Sequence, residues 1–139
     1  MADLMEESAR CKKIGYNKEV KGISRKQPIP QGICLRKYRR RQGRCYELVL
    51  GFVLDNEGWN GVHGIIIPTF GPFAGESYPH AWAEKEELLY EPVLNEFWLK
   101  KDYHRTFSAS KMEIYNGKEL GANVRKFYTC GPWRRTSDR

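Results

Sequence analysis

The chain has 139 residues, of which 40% are apolar and 13% aromatic, so it is long enough for one domain with a buried core. It has no long apolar stretch, and its first residues carry neither a basic segment nor an apolar signal core, so we expect no membrane span. Its cysteines match neither a CxxC zinc pair nor a disulfide mini-protein: Cys11, Cys34, Cys45 and Cys130. We therefore expect a cytoplasmic protein without cofactor or metal.

Positive charge is concentrated towards the amino terminus, although the whole chain carries a net charge of +7. Residues 10–44 hold 13 lysines and arginines and one acidic residue, whereas residues 45–124 hold six basic and twelve acidic residues. Such a basic segment suits nucleic acid or an acidic protein partner, and it equally fits a solvated face that keeps the protein soluble. The candidate residues for binding such a partner are Arg36, Lys37, Arg39, Arg40 and Arg41.

The amino-terminal part of the chain predicts an arm that leads into a single domain. Residues 3–13 fit a short helix, whereas residues 27–32 form a connector because Pro28 and Pro30 remove hydrogen-bond donors and favour extended neighbours. Residues 33–41 then fit a strand with a cationic exposed side. We predict a basic, partly flexible arm over residues 1–30, one domain over 31–133 and a basic tail over 134–139.

The rest of the chain predicts a helix and a small antiparallel sheet. Residues 45–55 place four apolar side chains on one helical stripe: Leu48, Val49, Phe52 and Val53. A β-branched run predicts a strand at 62–67, a loop rich in proline and aromatic residues follows, and two further strands at 79–84 and 88–93 flank a charged turn. A second short helix at 116–127, weakened by Gly121, and residues 131–133 complete an α+β domain.

The hairpin of residues 79–93 brings a histidine near a carboxylate. A four-residue loop, Glu84 to Glu87, would pair Ala83 with Leu88 and would set His80 directly opposite Glu91. A two-residue loop would make the same two side chains diagonal neighbours on one face. In either case the carboxylate can orient the imidazole and stabilise its protonated form.

Cys45 is the candidate nucleophile, because a thiol in the first turn of a helix faces the positive end of the helix dipole. The amides of that turn can also hold an oxyanion. A cysteine on a helix, a histidine on a strand and an acid on the next strand follow each other in papain-like and transglutaminase-like cysteine enzymes.

Several short segments strengthen this resemblance: Gln42-Gly-Arg-Cys45-Tyr-Glu-Leu, His63-Gly64, His80-Ala-Trp-Ala-Glu84, Tyr90-Glu-Pro-Val93 and Tyr128-Thr-Cys-Gly-Pro-Trp133. Between about residues 40 and 133 the chain resembles small bacterial and phage proteins of that superfamily. The resemblance implies Cys45 as nucleophile, His80 as general base, Glu91 as orienting carboxylate and Gln42 as oxyanion donor. The family usually has aspartate where this chain has Glu91, and Gln42 lies closer to the cysteine than in papain.

The function that we predict is acyl transfer at a protein or peptide amide: hydrolysis, glutamine deamidation or transglutamination. Each residue also has a structural explanation, since free cysteines are commonly buried and a strand histidine commonly has a hydrogen-bonding role. A metal site lacks a local ligand pair, and the chain has no GxSxG, GxGxxG or GxxxxGK[ST] motif. The alternative is a non-catalytic protein that binds nucleic acid or an acidic partner through residues 10–44.

Overall fold

The computed structural model of the chain describes residues 11–14 and 26–133. Its strands are β1 (Cys11–Ile14), β2 (Lys26–Gln27), β3 (Ile33–Arg36), β4 (Asn60–Ile66), β5 (Tyr78–Lys85), β6 (Leu88–Glu91), β7 (Glu96–Leu99) and β8 (Ser110–Tyr115). The helices within these described residues are α1 (Cys45–Asp55), α2 (Lys100–Phe107) and α3 (Gly117–Phe127). The protein is therefore α+β, as the sequence predicts.

Most strands join one antiparallel sheet, whose order is β2-β7-β6-β5-β4-β8. β1 and β3 form a separate antiparallel pair. The contact between β4 and β8 shifts register between His63 and Gly64. A Cβ on Gly64 would lie 2.2 Å from the carbonyl oxygen of Ser110 and 2.7 Å from the Trp82 ring, so only glycine fits at this irregularity.

One face of the sheet packs against α1. Val49, Phe52 and Val53 of the predicted stripe belong to one buried cluster with Ala81 and Ala83 of β5. The two alanines are fully buried, and their small side chains let the helix approach the strand closely. Burying a core side chain the size of Phe52 contributes about 2 kcal/mol to the stability of the fold, so this helix–strand contact holds α1 firmly on β5.

The opposite face packs against α2. Successive side chains of a strand point to opposite faces, so Trp82 lies in a second buried cluster although Ala81 and Ala83 belong to the first. Tyr103 and Phe107 of α2 complete this second cluster, with their rings 4.5 Å apart. The sheet is therefore covered on both faces.

The last helix, α3, begins at a capping box. The Asn116 side chain accepts from the Glu119 amide at 2.8 Å, and the Glu119 side chain accepts from the Asn116 amide at 2.8 Å. Leu120 is buried beneath Gly61, where an added Cβ would lie 3.0 Å from it. The helix predicted for 116–127 is thus confirmed, and Trp133 beyond it is buried in the core.

Several predicted boundaries are wrong. Residues 11–13 belong to a strand rather than a helix, because β1 pairs with β3; residues 3–10 of the predicted helix lie outside the described residues. The strand predicted for 33–41 ends at Arg36. Lys26 and Gln27, at the junction of the predicted arm and connector, form the edge strand β2 of the main sheet. The elements β7, α2 and β8 were not predicted at all.

Candidate functional site

Cys45 lies at the first position of α1. Gly43, with φ 74°, turns the chain ahead of the helix, and the carbonyl of Arg44 accepts the first helical hydrogen bond from Leu48 at 3.0 Å. The first-turn amides of a helix have no partner within it, and they lie around the side chain at this position. Cys45 is 8% exposed and free of disulfide bonding. The helix therefore directs its positive end at a free thiol.

His80 and Glu91 meet across the hairpin of β5 and β6. His80 Nε2 lies 2.7 Å from Glu91 Oε1, and both side chains are buried. The register pairs Ala83 with Tyr90, so the turn contains only Glu86 and Glu87, and the four-residue loop with Ala83 opposite Leu88 is wrong. The two-residue alternative is the one observed. His80 and Glu91 are therefore diagonal neighbours, and both project to the same face.

The diagonal position gives a physical reason for glutamate in place of aspartate. Diagonal neighbours on paired strands are about 7–8 Å apart, farther than directly opposite residues. The additional methylene of Glu91 extends its carboxylate across this separation, and a contact of 2.7 Å results. A glutamate at this position therefore fits the geometry of this hairpin.

The Glu91 carboxylate is saturated with donors. Besides His80, the Tyr103 hydroxyl donates to Oε1 at 2.5 Å, and the backbone amides of Val93 and Leu94 donate to Oε2 at 2.7 and 3.4 Å. Burial alone would favour the protonated acid, but the nearby His80 charge and these hydrogen bonds hold the pKa of Glu91 below its usual value. Glu91 is thus an ionised carboxylate fixed in one orientation.

His80 connects this carboxylate to the thiol. Burial alone would lower its pKa, but the negative charge of Glu91 and hydrogen bonds with Cys45 and Glu91 raise the pKa of His80 to about 10. Because Nε2 is bound to Glu91, Nδ1 is the ring nitrogen left for Cys45. The imidazole is consequently protonated at neutral pH, and it bridges a carboxylate and a cysteine.

The site opens into a cavity of about 490 Å³. Gln42, Cys45 and His80 line this cavity, whereas Glu91, which contacts His80, is not among its lining residues. Gln42 is exposed and belongs to the turn that precedes α1. The remaining walls are mainly apolar and aromatic: Tyr46, Phe73, Tyr78, Pro79 and Val93.

The other free thiol among the described residues, Cys130, lines a different cavity of about 330 Å³. Burial raises the pKa of Cys130, and the Glu47 carboxylate raises it further. Cys34 is disulfide-bonded, which the cysteine spacing does not predict. Cys45 and Cys130 are therefore a natural pair for comparing thiol reactivity.

Part of the basic segment is bound within the fold. Arg36 makes a two-pronged ion pair with Asp55, through Nε to Oδ2 at 2.5 Å and Nη2 to Oδ1 at 2.8 Å. Arg41 donates to the carbonyl of Pro92 at 2.7 Å and lies over the Tyr38 ring. The other three predicted binding residues are exposed: Lys37, Arg39 and Arg40. Two of the five named cations, Arg36 and Arg41, are therefore engaged in contacts within the fold.

Tyr103 and His63 also belong to this region, although the sequence predicted no role for either. Tyr103 donates to Glu91 from α2, a helix whose polar sequence gave no core signal beyond its aromatic spacing. His63 is buried in β4, within the strand predicted for 62–67, and both of its ring nitrogens lack a hydrogen-bond partner. The rings of Tyr46, Tyr115 and Trp133 surround it, at centroid distances of 4.7, 5.0 and 5.2 Å. Burial lowers the pKa of His63 to about 4.

Comparison with known proteins assigns no family: no protein-family model, curated protein or solved structure matches the chain. Over residues 11–14 and 26–133, no group of three or more histidine, cysteine or acidic side chains is arranged to hold a metal ion. In the same part of the chain, no helix has the length and apolar character needed to cross a bilayer. The geometry around Cys45 is therefore the basis for a functional proposal.

Proposed function

We propose that this protein is a cysteine acyltransferase or hydrolase that acts on a protein or peptide amide. The observation that carries the proposal is the buried contact of 2.7 Å between His80 and Glu91, with the remaining nitrogen of His80 available to Cys45. The thiol lies at a helix start and borders a cavity of about 490 Å³. The nucleophile Cys45 and the proton carrier His80 thus border a space for substrate, and the orienting acid Glu91 contacts His80.

The reaction begins from the pair in which the thiol proton has moved to His80. The Cys45 sulfur attacks the carbonyl carbon of the amide, and the oxygen takes up the negative charge of the tetrahedral intermediate. Amides of the first turn of α1 and the side chain of Gln42 stabilise that oxygen. The His80 imidazolium then donates its proton to the leaving nitrogen, so the C–N bond breaks and a thioester remains on Cys45.

The second half of the reaction restores the thiol. His80, now neutral, accepts a proton from water or from an amine as that acceptor attacks the thioester carbon. The C–S bond breaks, and the acyl group leaves as an acid or a new amide. The Cys45 thiolate is then paired again with the protonated His80, which can return its proton to the sulfur. Throughout both halves Glu91 keeps the ring oriented and stabilises its positive charge.

The architecture supports a papain-like or transglutaminase-like core as part of the same proposal. The cysteine helix precedes the histidine strand, and the acid follows on the adjacent strand. α1 packs directly on β5, through Ala81 and Ala83, which brings the helix start towards His80. This order of the elements supports that part of the proposal.

Acylation of the intact protein by p-nitrophenyl acetate tests the proposal. We expect a burst of nitrophenol and one acetyl group on Cys45 by peptide mass, formed at least tenfold faster than on Cys130. His80→Asn should slow this step, whereas the matched variant His104→Asn, outside the cavity, should not. Circular dichroism checks that both variants fold.

Two results would overturn the assignment. The first is acetylation of Cys130 or of lysines while Cys45 stays unmodified. The second is an acylation rate that is the same in folded His80→Asn protein as in the unaltered chain, because the imidazole would then play no part in the chemistry of the thiol.

A further inference from the structure

The cavity in front of Cys45 carries one acidic side chain. Among the described residues that line it, Glu76 is the only one with a formal charge apart from the Cys45–His80 pair, and no lysine or arginine contributes to the walls. Glu76 is exposed, and its amide donates to the carbonyl of Phe73 at 3.0 Å. A loop turn therefore places a solvated carboxylate at the cavity wall.

Aromatic rings extend from this carboxylate to the reactive centre. The rings of Phe73 and Tyr78 lie edge to face with centroids 5.7 Å apart, and Tyr78 lies 6.1 Å from the ring of His80 in the same kind of arrangement. Phe73 is 45% exposed. Apolar walls with one carboxylate fit a side chain that is aliphatic along its length and positively charged at its end.

We propose that this part of the cavity binds the lysine or arginine side chain of a peptide substrate, next to the amide that Cys45 attacks. The inference rests on the proposed function and names its substrate class. The aliphatic stem packs on Phe73 and Tyr78, and the cationic end meets Glu76 and the aromatic faces. A cavity of about 490 Å³ lies within the range of ligand pockets, and it accommodates such a side chain with part of its backbone.

Binding to an inactive protein tests this subsite separately from catalysis. The full chain with Cys45→Ala is titrated, followed by NMR shifts, with N-acetyl-lysine methylamide and with its uncharged counterpart N-acetyl-norleucine methylamide. The two ligands share a backbone and an aliphatic stem, so their affinity ratio reports the cationic end. We expect the lysine ligand to bind about five- to tenfold more tightly, and added salt to reduce the ratio.

Glu76→Gln in the same background should bring the ratio close to one. The matched variant Glu57→Gln removes an exposed carboxylate that does not line the cavity, and it should leave the ratio unchanged. Equal or tighter binding of the norleucine ligand would overturn the proposal and make the subsite apolar. A lysine preference that survives Glu76→Gln would overturn it as well.

The two proposals fail in distinguishable ways. An unreactive Cys45 with a lysine preference that depends on Glu76 would refute the chemistry while leaving the subsite. A reactive Cys45 without that preference would refute the subsite alone.

Discussion

We predict that His63 makes the stability of the fold depend on pH, because it is a titratable group buried without a hydrogen-bond partner. Its ring is 4% exposed, neither nitrogen has a hydrogen bond, and its pKa is about 4 compared with an ordinary value of 6.5. The folded protein therefore holds His63 neutral, whereas the unfolded chain binds a proton below pH 6.5. Acid should destabilise the fold through this residue.

The magnitude follows from the two pKa values. Between pH 6.5 and 4 the unfolded state holds one proton more than the folded state at this position. The free energy of unfolding should therefore fall by about 1.4 kcal/mol for each pH unit in this window, a total of about 3 kcal/mol. Above pH 6.5 both states carry a neutral ring, and the contribution disappears.

Urea unfolding of the unaltered chain and of His63→Phe at pH 7, 6, 5 and 4 measures this term. Phenylalanine keeps an aromatic ring among Tyr46, Tyr115 and Trp133 and removes the titration. Any change in packing is common to all pH values, and so are the titrations of other groups. The stability difference between the two proteins should therefore move by about 3 kcal/mol in favour of the variant from pH 7 to pH 4.

A stability difference between the two proteins that stays constant across this pH range would contradict the prediction. It would mean that the ring of His63 takes up a proton in the folded state as easily as in the unfolded chain. Such a result would require a partner or solvent at a position that is closed in the structure.

Four further predictions concern the Glu91 carboxylate and two glycines. Glu91→Asp keeps the charge but shortens the reach, so we expect slower acylation of Cys45 by p-nitrophenyl acetate; a rate equal to that of the unaltered chain would show that the diagonal separation is irrelevant. Glu91→Gln removes the charge that raises the pKa of His80 to about 10, so the alkaline limit of amide cleavage should move down from pH 10; an unmoved limit would detach Glu91 from the imidazolium. Gly64→Ala should cost at least about 2 kcal/mol in urea unfolding, because its Cβ would meet the backbone of Ser110. Gly121→Ala should instead raise the free energy of unfolding by about 0.5–1 kcal/mol, because that position is helical and an added Cβ would meet only the flexible end of Arg125, at 3.5 Å. A stabilising Gly64→Ala or a destabilising Gly121→Ala would contradict the packing described.

The elements that carry the site were the ones most accessible from the sequence. The apolar stripe of residues 45–55 has helical spacing, and the helix occupies those residues. The contact of His80 with Glu91 was predicted although the preferred hairpin register was wrong, because side-chain alternation depends on parity and both registers keep the same parity. The alternation of side chains along each strand was therefore sufficient to place His80 and Glu91 on one face of the hairpin.

The elements that were missed depend on distant partners. β2 contains two residues and exists because β7 lies beside it, a pairing across about seventy positions of sequence. α2 is polar along most of its length, and its burial comes from Tyr103, Thr106 and Phe107 beneath a sheet whose extent the sequence does not reveal. The Tyr103 hydroxyl that donates to Glu91 therefore could not be found from local pattern, since it belongs to this helix.

The buried pair of His80 and Glu91 has a consequence for how the protein can change over evolutionary time. Loss of either member leaves a charge without its partner inside the protein, which typically costs several kcal/mol, whereas replacement of Cys45 by alanine or serine leaves the contact between His80 and Glu91 in place. Under the proposed function, descendants that lose catalysis should therefore lose the cysteine first and keep the histidine and the glutamate for stability. Under the proposed function, the residue at position 45 is therefore the one whose replacement ends catalysis while the buried pair stays in place.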